Sequence, residues 1–381
     1  MMRPNLPSIR RTALTAALLA IAWLGGVGGA LAAPISDLLD LPAAVNARAV
    51  RSLQLAVARA GDRLVAVGEH GTVLLSDDHG RNWRQARRVP VSVALTDVHF
   101  PTAQLGWAVG HSGVVLHSAD GGETWARQLD GKLAAQIVVE DARKRAGESE
   151  GGDLDAGNRE AAARRLREAE GLVADGPDKP FLGVHFADES RGWVVGAYGL
   201  ALATKDGGKS WTSLMGTIPN PRGKHLYQVR GDANALLVAG EQGALFRSTD
   251  GGSAFSALAT PYAGTWFGAL RTRSDTLLAF GLRGNAWRSA DGGASWERID
   301  AGQPVTIAAG RTLADDSIIL GDASGRLLRS TDGGRSLVAL TVAPTSGLTG
   351  LVQAADGALI LSGPRGLTRI EPELLVAEVK K

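Results

Sequence analysis

The chain of 381 residues contains no cysteine. That absence excludes disulfides, thiol catalysis and lipid anchoring through a cysteine, so the stability of the folded chain has to come from its core. Aromatic residues are also scarce, at 5%. Beyond residue 32 no apolar run is long enough to span a membrane. A basic balance is missing as well once the N-terminus is considered. Residues 1–32 carry Arg3, Arg10 and Arg11 and no acidic residue, so removing them takes the formal net charge from +2 to −1. The pI near 9.0 therefore describes the whole chain only. It gives no support for nucleic-acid binding, which needs a retained basic face.

What is present begins with that N-terminal segment. The three arginines precede an apolar run from Ala13 to Leu24, and Ala30-Leu31-Ala32 follows as an A-x-A cleavage pattern. The reading is a secretory signal over residues 1–32, cleaved near Ala32, with a soluble or peripheral periplasmic protein left behind. An uncleaved anchor is the alternative. Arg10-Arg11 leaves the Sec and twin-arginine routes both open.

The chain as a whole is rich in glycine, with 50. One recurring setting is an octad: SDDHGRNW ending at Trp83, SADGGETW at Trp125, TKDGGKSW at Trp211, STDGGSAF at Phe255, SADGGASW at Trp296 and STDGGRSL at Leu337. The shared skeleton is Ser/Thr-x-Asp-x-Gly-x-x-aromatic. Its Asp carboxylate is expected to close an Asx-type turn onto a backbone N–H two residues on. Its Gly supplies a positive-φ position, and its Trp covers the hairpin. The six carboxylates, Asp78, Asp120, Asp206, Asp250, Asp291 and Asp332, sit on separate turns and are read as structural, since they cannot converge on one ion.

Upstream of each octad lie three strand signals, the second ending in a glycine-bounded turn. The copies read VAVGEHGTVLLS from Val65, WAVGHSGVVLHS from Trp107, WVVGAYGLALAT from Trp193, LVAGEQGALFRS from Leu237, LAFGLRGNAWRS from Leu278 and IILGDASGRLLRS from Ile318. A seventh, LILSGPRGLTRI from Leu359, lacks the Asp turn. Four strands per unit, with spacings of 41 to 44 residues between successive octads, predict an all-β, seven-bladed β-propeller of four-stranded blades. A solenoid is the competing architecture. One strand from about Pro34–Val50, or from the tail after Ile370, is expected to complete the last blade and leave no open edge. Residues 33–381 thus form a single propeller domain.

One interval, Trp125 to Trp211, spans 86 residues and holds only one repeat. The surplus, residues 128–179, is charged, Ala-rich and poor in turn residues. It predicts a helical hairpin inserted between blades two and three, with ESEGGDLD as its loop, Asn158 as an N-cap and Gly171 as a C-cap. A degenerate blade is the alternative.

Antiparallel connectivity places the glycine-bounded turns on the face opposite the Asp turns. Their side chains differ from blade to blade, and loops on a rigid scaffold usually carry binding. The candidate binding residues are Glu69, His70, His111, Tyr198, Glu241, Arg283, Arg326 and Arg365. The last three, on adjacent blades, would read a carboxylate or phosphate with guanidinium forks. His99, His185 and His225 are the only candidate metal set, and no HxH or HExxH spacing supports it. No metal, cofactor or catalytic residue is assigned, and no GxSxG elbow is present.

The octad is the bacterial neuraminidase repeat, or Asp box. Combined in the pattern WAVG-x-x-G-xx-L-x-S-xDGG-xx-W, it resembles the photosystem II stability/assembly factor family from about Ser52 to Ile370. The copies from Gly106-Trp107 and Gly192-Trp193 fit best. The helical insertion before GPDKPFLGVHF is similar to the subset found in non-photosynthetic bacteria. The resemblance implies a non-enzymatic, monomeric propeller that binds a membrane-protein complex or its assembly intermediate on the exported side. A periplasmic accessory protein of a transporter is a further alternative. Sialidases share the box, but they need an arginine in an F/Y-R-I-P motif ahead of the first box, a Tyr nucleophile with its Glu, and an Asp acid/base. Here Arg88-Val89-Pro90 follows the first box, and Tyr198, Tyr227 and Tyr262 have no assignable context.

Overall fold

A computed structural model of the chain describes residues 37–151, 156–342 and 347–375. The signal segment expected over residues 1–32 lies outside them. Seven antiparallel sheets follow one another in chain order, and six of them have four strands. The first strands of the blades are Gln54–Ala60, Leu95–His99, Phe181–Phe186, Leu226–Gly231, Trp266–Arg271, Ile307–Thr312 and Gly350–Gln353. Each touches the first strand of the next blade, and the last touches the first, so the ring closes around a central channel.

These inner strands run beside one another without a shared ladder, and side chains satisfy backbone groups across the gaps. Thr96 Oγ1 donates to Phe181 O at 2.7 Å, Thr349 Oγ1 to Gln54 O at 2.7 Å, and Ala269 N donates to Gln228 Oε1 at 2.9 Å. Apolar clusters fill the space between neighbouring sheets. One joins Val57, Leu64 and Leu74 of blade one to Val352, Ala358 and Ile360 of blade seven.

That cluster accounts for the way the ring closes. Among the described residues, blade seven keeps three strands, Gly350–Gln353, Leu359–Gly363 and Gly366–Ile370. Among the described residues of the two segments expected to complete it, 37–50 and 371–375, neither forms a strand; the rest of both lies outside the described residues. Residues 37–48 run as irregular chain under blades one and two, where Ala43 N donates to Val89 O at 3.0 Å and Ser92 N to Leu38 O at 2.8 Å. Beyond Ile370 the chain turns into a short 3₁₀ helix, Pro372–Leu375, and Arg329 holds the Leu375 carbonyl at 2.5 Å. Among the described residues, face-to-face packing of blade seven on blade one closes the ring.

The Asp boxes form a repeated hydrogen-bonded turn. In the second, Ser118 Oγ donates to Asp120 Oδ1 at 2.9 Å and accepts the Gly122 N–H at 2.9 Å. Asp120 accepts the Thr124 N–H at 2.9 Å, and Trp125 Nε1 donates to Gly122 O at 2.9 Å. The carboxylate therefore bonds a backbone group four residues on, not the two expected, because the two residues after it both take positive φ (Gly121 67°, Gly122 88°) and wrap the chain back. Hydrogen bonds from Asn82, first through its backbone, hold Asp78 down at about 2. Replacing Asp120 with alanine should cost about 1–2 kcal/mol in urea-induced unfolding, because the turn's donors lose their acceptor.

The insertion is a helical hairpin, α1 (Gly131–Gly151) and α2 (Ala156–Asp175). Its start is set by Asp130, whose Oδ1 accepts the N–H groups of Lys132 and Leu133 at 3.0 and 3.1 Å. Two expected caps move. Asn158 lies inside α2, and Gly171 lies four residues before its end, with Gly176 (φ 92°) providing the left-handed exit. The expected loop is also shorter, since α1 continues through Gly151. Ala134, Ala135, Val138 and Leu172 bury against the blade two–three interface beside Leu129 and Trp211.

Candidate functional site

The glycine-bounded turns share a face with the loops that lead into the inner strands. Glu69 N donates to Leu53 O at 3.2 Å, Ala197 N to Pro180 O at 3.0 Å and Leu282 N to Thr265 O at 3.0 Å. In five blades the second turn residue is left-handed: His70, Ser112, Tyr198, Gln242 and Arg283, with φ from 51° to 58°.

Placement separates the candidate residues by role. Glu69 and Glu241 perform one structural task in two blades, since their Oε1 atoms accept the N–H of Leu53 at 3.3 Å and of His225 at 2.9 Å. His70, His111, Arg283 and Arg365 are exposed. Tyr198 is 53% exposed. Its N–H donates to His225 Nδ1 at 2.7 Å, its ring stands edge-on to that imidazole at 4.9 Å, and Lys179 Nζ lies 5.4 Å from its centre. Arg326 does not join Arg283 and Arg365 as an open guanidinium. Its Nε donates to Asp322 at 2.9 Å and its Nη2 to Ala301 O at 3.0 Å. The cause is a shift of register in blade six. Ile319 pairs with Arg311 as Leu237 pairs with Arg230, so Asp322 occupies the place of the turn glycine and anchors Arg326.

The structure brings together a different set inside the channel, a cavity of about 910 Å³. The residues opposite Val65, Trp107, Trp193, Leu237, Leu278, Ile319 and Ile360 in the ladders are Ala58, His99, His185, Arg230, Leu270, Arg311 and Val352. One strand position thus carries two imidazoles and two guanidiniums on the channel wall. Arg230 reaches Asp97 of blade two with bonds of 3.0 and 3.1 Å and also holds Val184 O at 2.7 Å. Asp97, 7% exposed, further accepts the N–H of Val98 at 2.9 Å and of Val184 at 3.0 Å. Arg271 pairs with Asp232 at the same end.

His99 and His185 lie 4.7 Å apart between ring centres, while His225 sits on the turn face with Tyr198. The three histidines therefore do not converge, and His99 Nδ1 already accepts the Phe186 N–H at 3.2 Å. Burial, then the nearby Arg230, holds His185 down at about 3, and burial holds His99 well below its ordinary value. The Gly231 backbone pulls His185 the other way, but neither ring nitrogen has a hydrogen-bond partner of normal geometry. Proton uptake by His185 then favours the unfolded chain. Stability is complete above about pH 6.5 and falls toward about pH 3, at up to ~1.4 kcal/mol per pH unit for this one group. His185→Phe should flatten that part of the acid limb in urea titrations from pH 7 to pH 4.

A seven-bladed ring with Asp-box turns on one face, and a basic channel at its centre, defines an Asp-box propeller. Residues 168–289 match the family described as photosynthesis system II assembly factor YCF48. That match covers about a third of the chain. The photosystem II assembly lipoprotein Ycf48 of Synechococcus sp. (strain CC9902) is 34% identical over 74 residues, 19% of this chain and 22% of that protein, so the match spans about a fifth of the relative. A solved structure of YCF48 bound to D1 peptide superposes over 86% of this chain and 95% of that one, with a TM-score of 0.60 and 15% identity. The GH74 enzyme of Niastella koreensis superposes over 88% of this chain and 54% of its own, with a TM-score of 0.59 and 12% identity. At these identities both structures speak to the fold alone.

Proposed function

We propose that the protein is an exported, non-enzymatic binding and assembly factor for a membrane-protein complex. It would reach the periplasm by the signal over residues 1–32 and act as a monomer on the exported side. The observation that carries this reading is the division of labour in the ring. The box carboxylates are tied up in their own turns, whereas the channel wall varies from blade to blade and holds Arg311, whose guanidinium has no hydrogen-bond or ion-pair partner among the described residues. The relatives named for photosystem II assembly, one of them solved with a D1 peptide, support a polypeptide segment of a membrane protein as the ligand.

Hydrolase chemistry is disfavoured by the charges. Every carboxylate with a displaced pKa among the described residues is displaced downward, from Asp78 to Glu371, so none is held protonated as a general acid. Burial, with the charge of Glu241, pushes Tyr227 up, away from the range of a nucleophile. Tyr262 donates its hydroxyl to Leu282 O at 3.1 Å. The test is isolation of the tagged full chain from native envelopes, alongside assays with fluorogenic sialosides and other glycosides. A reproducible membrane-protein partner without product release is expected. Glycoside cleavage that Tyr227→Phe or Tyr262→Phe abolishes would overturn the reading.

A further inference from the structure

Five arginines line the channel, and four of them are held. Arg230 pairs with Asp97, Arg247 donates to Gly292 O at 2.8 Å, Arg271 pairs with Asp232, and Arg273 donates to Ala314 O at 3.2 Å. Arg311 has no hydrogen bond or ion pair among the described residues. It comes from blade six, yet its charge is felt by His99 and His185 of blades two and three, and Arg230 repels it. Burial, then Arg230, pulls it down to about 10 while Asp97 opposes the shift, so it remains a cation at neutral pH.

Asp97, the carboxylate that acts on Arg311, has no acceptor site to spare. Asp97 already accepts bonds from Arg230, Val98 and Val184. Asp232 accepts from Arg271 and from the N–H groups of Asn234 and Ala235. A half-buried guanidinium with no partner, beside a second guanidinium and two neutral imidazoles, is unfavourable unless an anion arrives. His185, 6% exposed, adds an imidazole whose nitrogens are both without a normal partner.

We propose that this end of the channel is an oxyanion site, in which Arg311 presents its fork to a carboxylate or phosphate group. Arg230 contributes mainly its field, because Asp97, Val184 and Val229 occupy its two terminal nitrogens. Arginine suits the task because its planar fork binds two oxygens at once. The cavity of about 910 Å³ is far larger than a bare ion, so the anion is the head of a larger ligand or the end of a chain. The proposal deepens the binding-factor reading by giving the ligand's chemistry.

The test uses the purified full chain at constant ionic strength with chloride as the reference. Calorimetry and thermal melts are run with inorganic phosphate, with a short peptide bearing a free C-terminal carboxylate, and with the same peptide as its C-terminal amide. Phosphate or the free carboxylate should bind and raise the Tm, and Arg311→Gln should weaken that binding at least about tenfold. Without anion, Arg311→Gln should melt no lower than wild type, because it removes the repulsion with Arg230. If that variant fails to fold, Arg311→Lys, which keeps the charge and loses the fork, decides by the same loss. Binding of phosphate alone assigns a phosphate ester, and binding of the free-carboxylate peptide but not its amide assigns a chain terminus. The proposal is overturned if neither anion binds, or if the Arg311 variants bind as wild type does. Because no cellular partner enters this assay, such a result would leave partner isolation from envelopes as an independent test of the binding-factor reading.

Discussion

Asp97→Ala is expected to destabilise the protein by about 3–5 kcal/mol, the usual loss when one member of a buried ion pair is removed. The carboxylate does three things at once. It neutralises Arg230, it satisfies the Val184 N–H of the neighbouring inner strand, and it offsets part of the charge on Arg311. Truncation leaves two guanidiniums facing a channel with no carboxylate between them. Urea unfolding at pH 7 measures the loss. In an Arg311→Gln background the same substitution should cost less, by more than about 0.5 kcal/mol, because the repulsion it unmasks is gone. Strict additivity of the two changes would show that Asp97 and Arg311 are not coupled.

Trp107→Ala should cost a similar ~3–5 kcal/mol, for reasons of packing. The indole is 1% exposed and stacks on Phe186 of the next blade, with ring centres 3.6 Å apart and planes 7° from parallel. Its Nε1 donates to Gln128 Oε1 at 3.0 Å, and Gln128 Nε2 in turn donates to Gly207 O at 2.9 Å. One side chain thus ties blade two to the inner strand and the Asp box of blade three. The same chemical-denaturation measurement applies. Trp107→Phe should recover most of the loss, since it keeps the stack and gives up only one hydrogen bond.

Much of this architecture was legible because each blade repeats its own local rules. The hydroxyl, carboxylate and glycine of each octad act within a few residues, so their spacing dictates the turn and six copies dictate the ring. The helical insertion was legible for the same reason, by its period and its lack of turn residues. Errors arose where partners come from elsewhere in the chain. A closing strand is expected for the last blade because its packing against Val57 and Leu64 is invisible in its own sequence. Arg326 looked like a turn-face cation because its ligand, Asp322, was counted as a loop residue. The helix caps moved by local competition, Asp130 and Gly176 proving better placed than Asn158 and Gly171.

The channel site was the least visible feature. Within any one blade, a histidine or arginine on the inner strand reads as an isolated polar residue. Only alignment of the inner strands against their second-strand partners shows that His99, His185, Arg230 and Arg311 share a position. Alignment on the glycine turns and boxes leaves that shared position out of view. The one-residue offset in blade six also hid Arg311 from the register.

The central claim is that the channel, and not the Asp box, does the recognising. The most direct measurement compares partner retention by three tagged full-length proteins isolated from the same envelopes: wild type, Arg311→Gln and Asp291→Asn, with the melting temperature of each recorded. Arg311→Gln is expected to lose the partner while remaining as stable as wild type, and Asp291→Asn to keep it. Retention by Arg311→Gln together with loss by Asp291→Asn, at unchanged stability, would contradict the account.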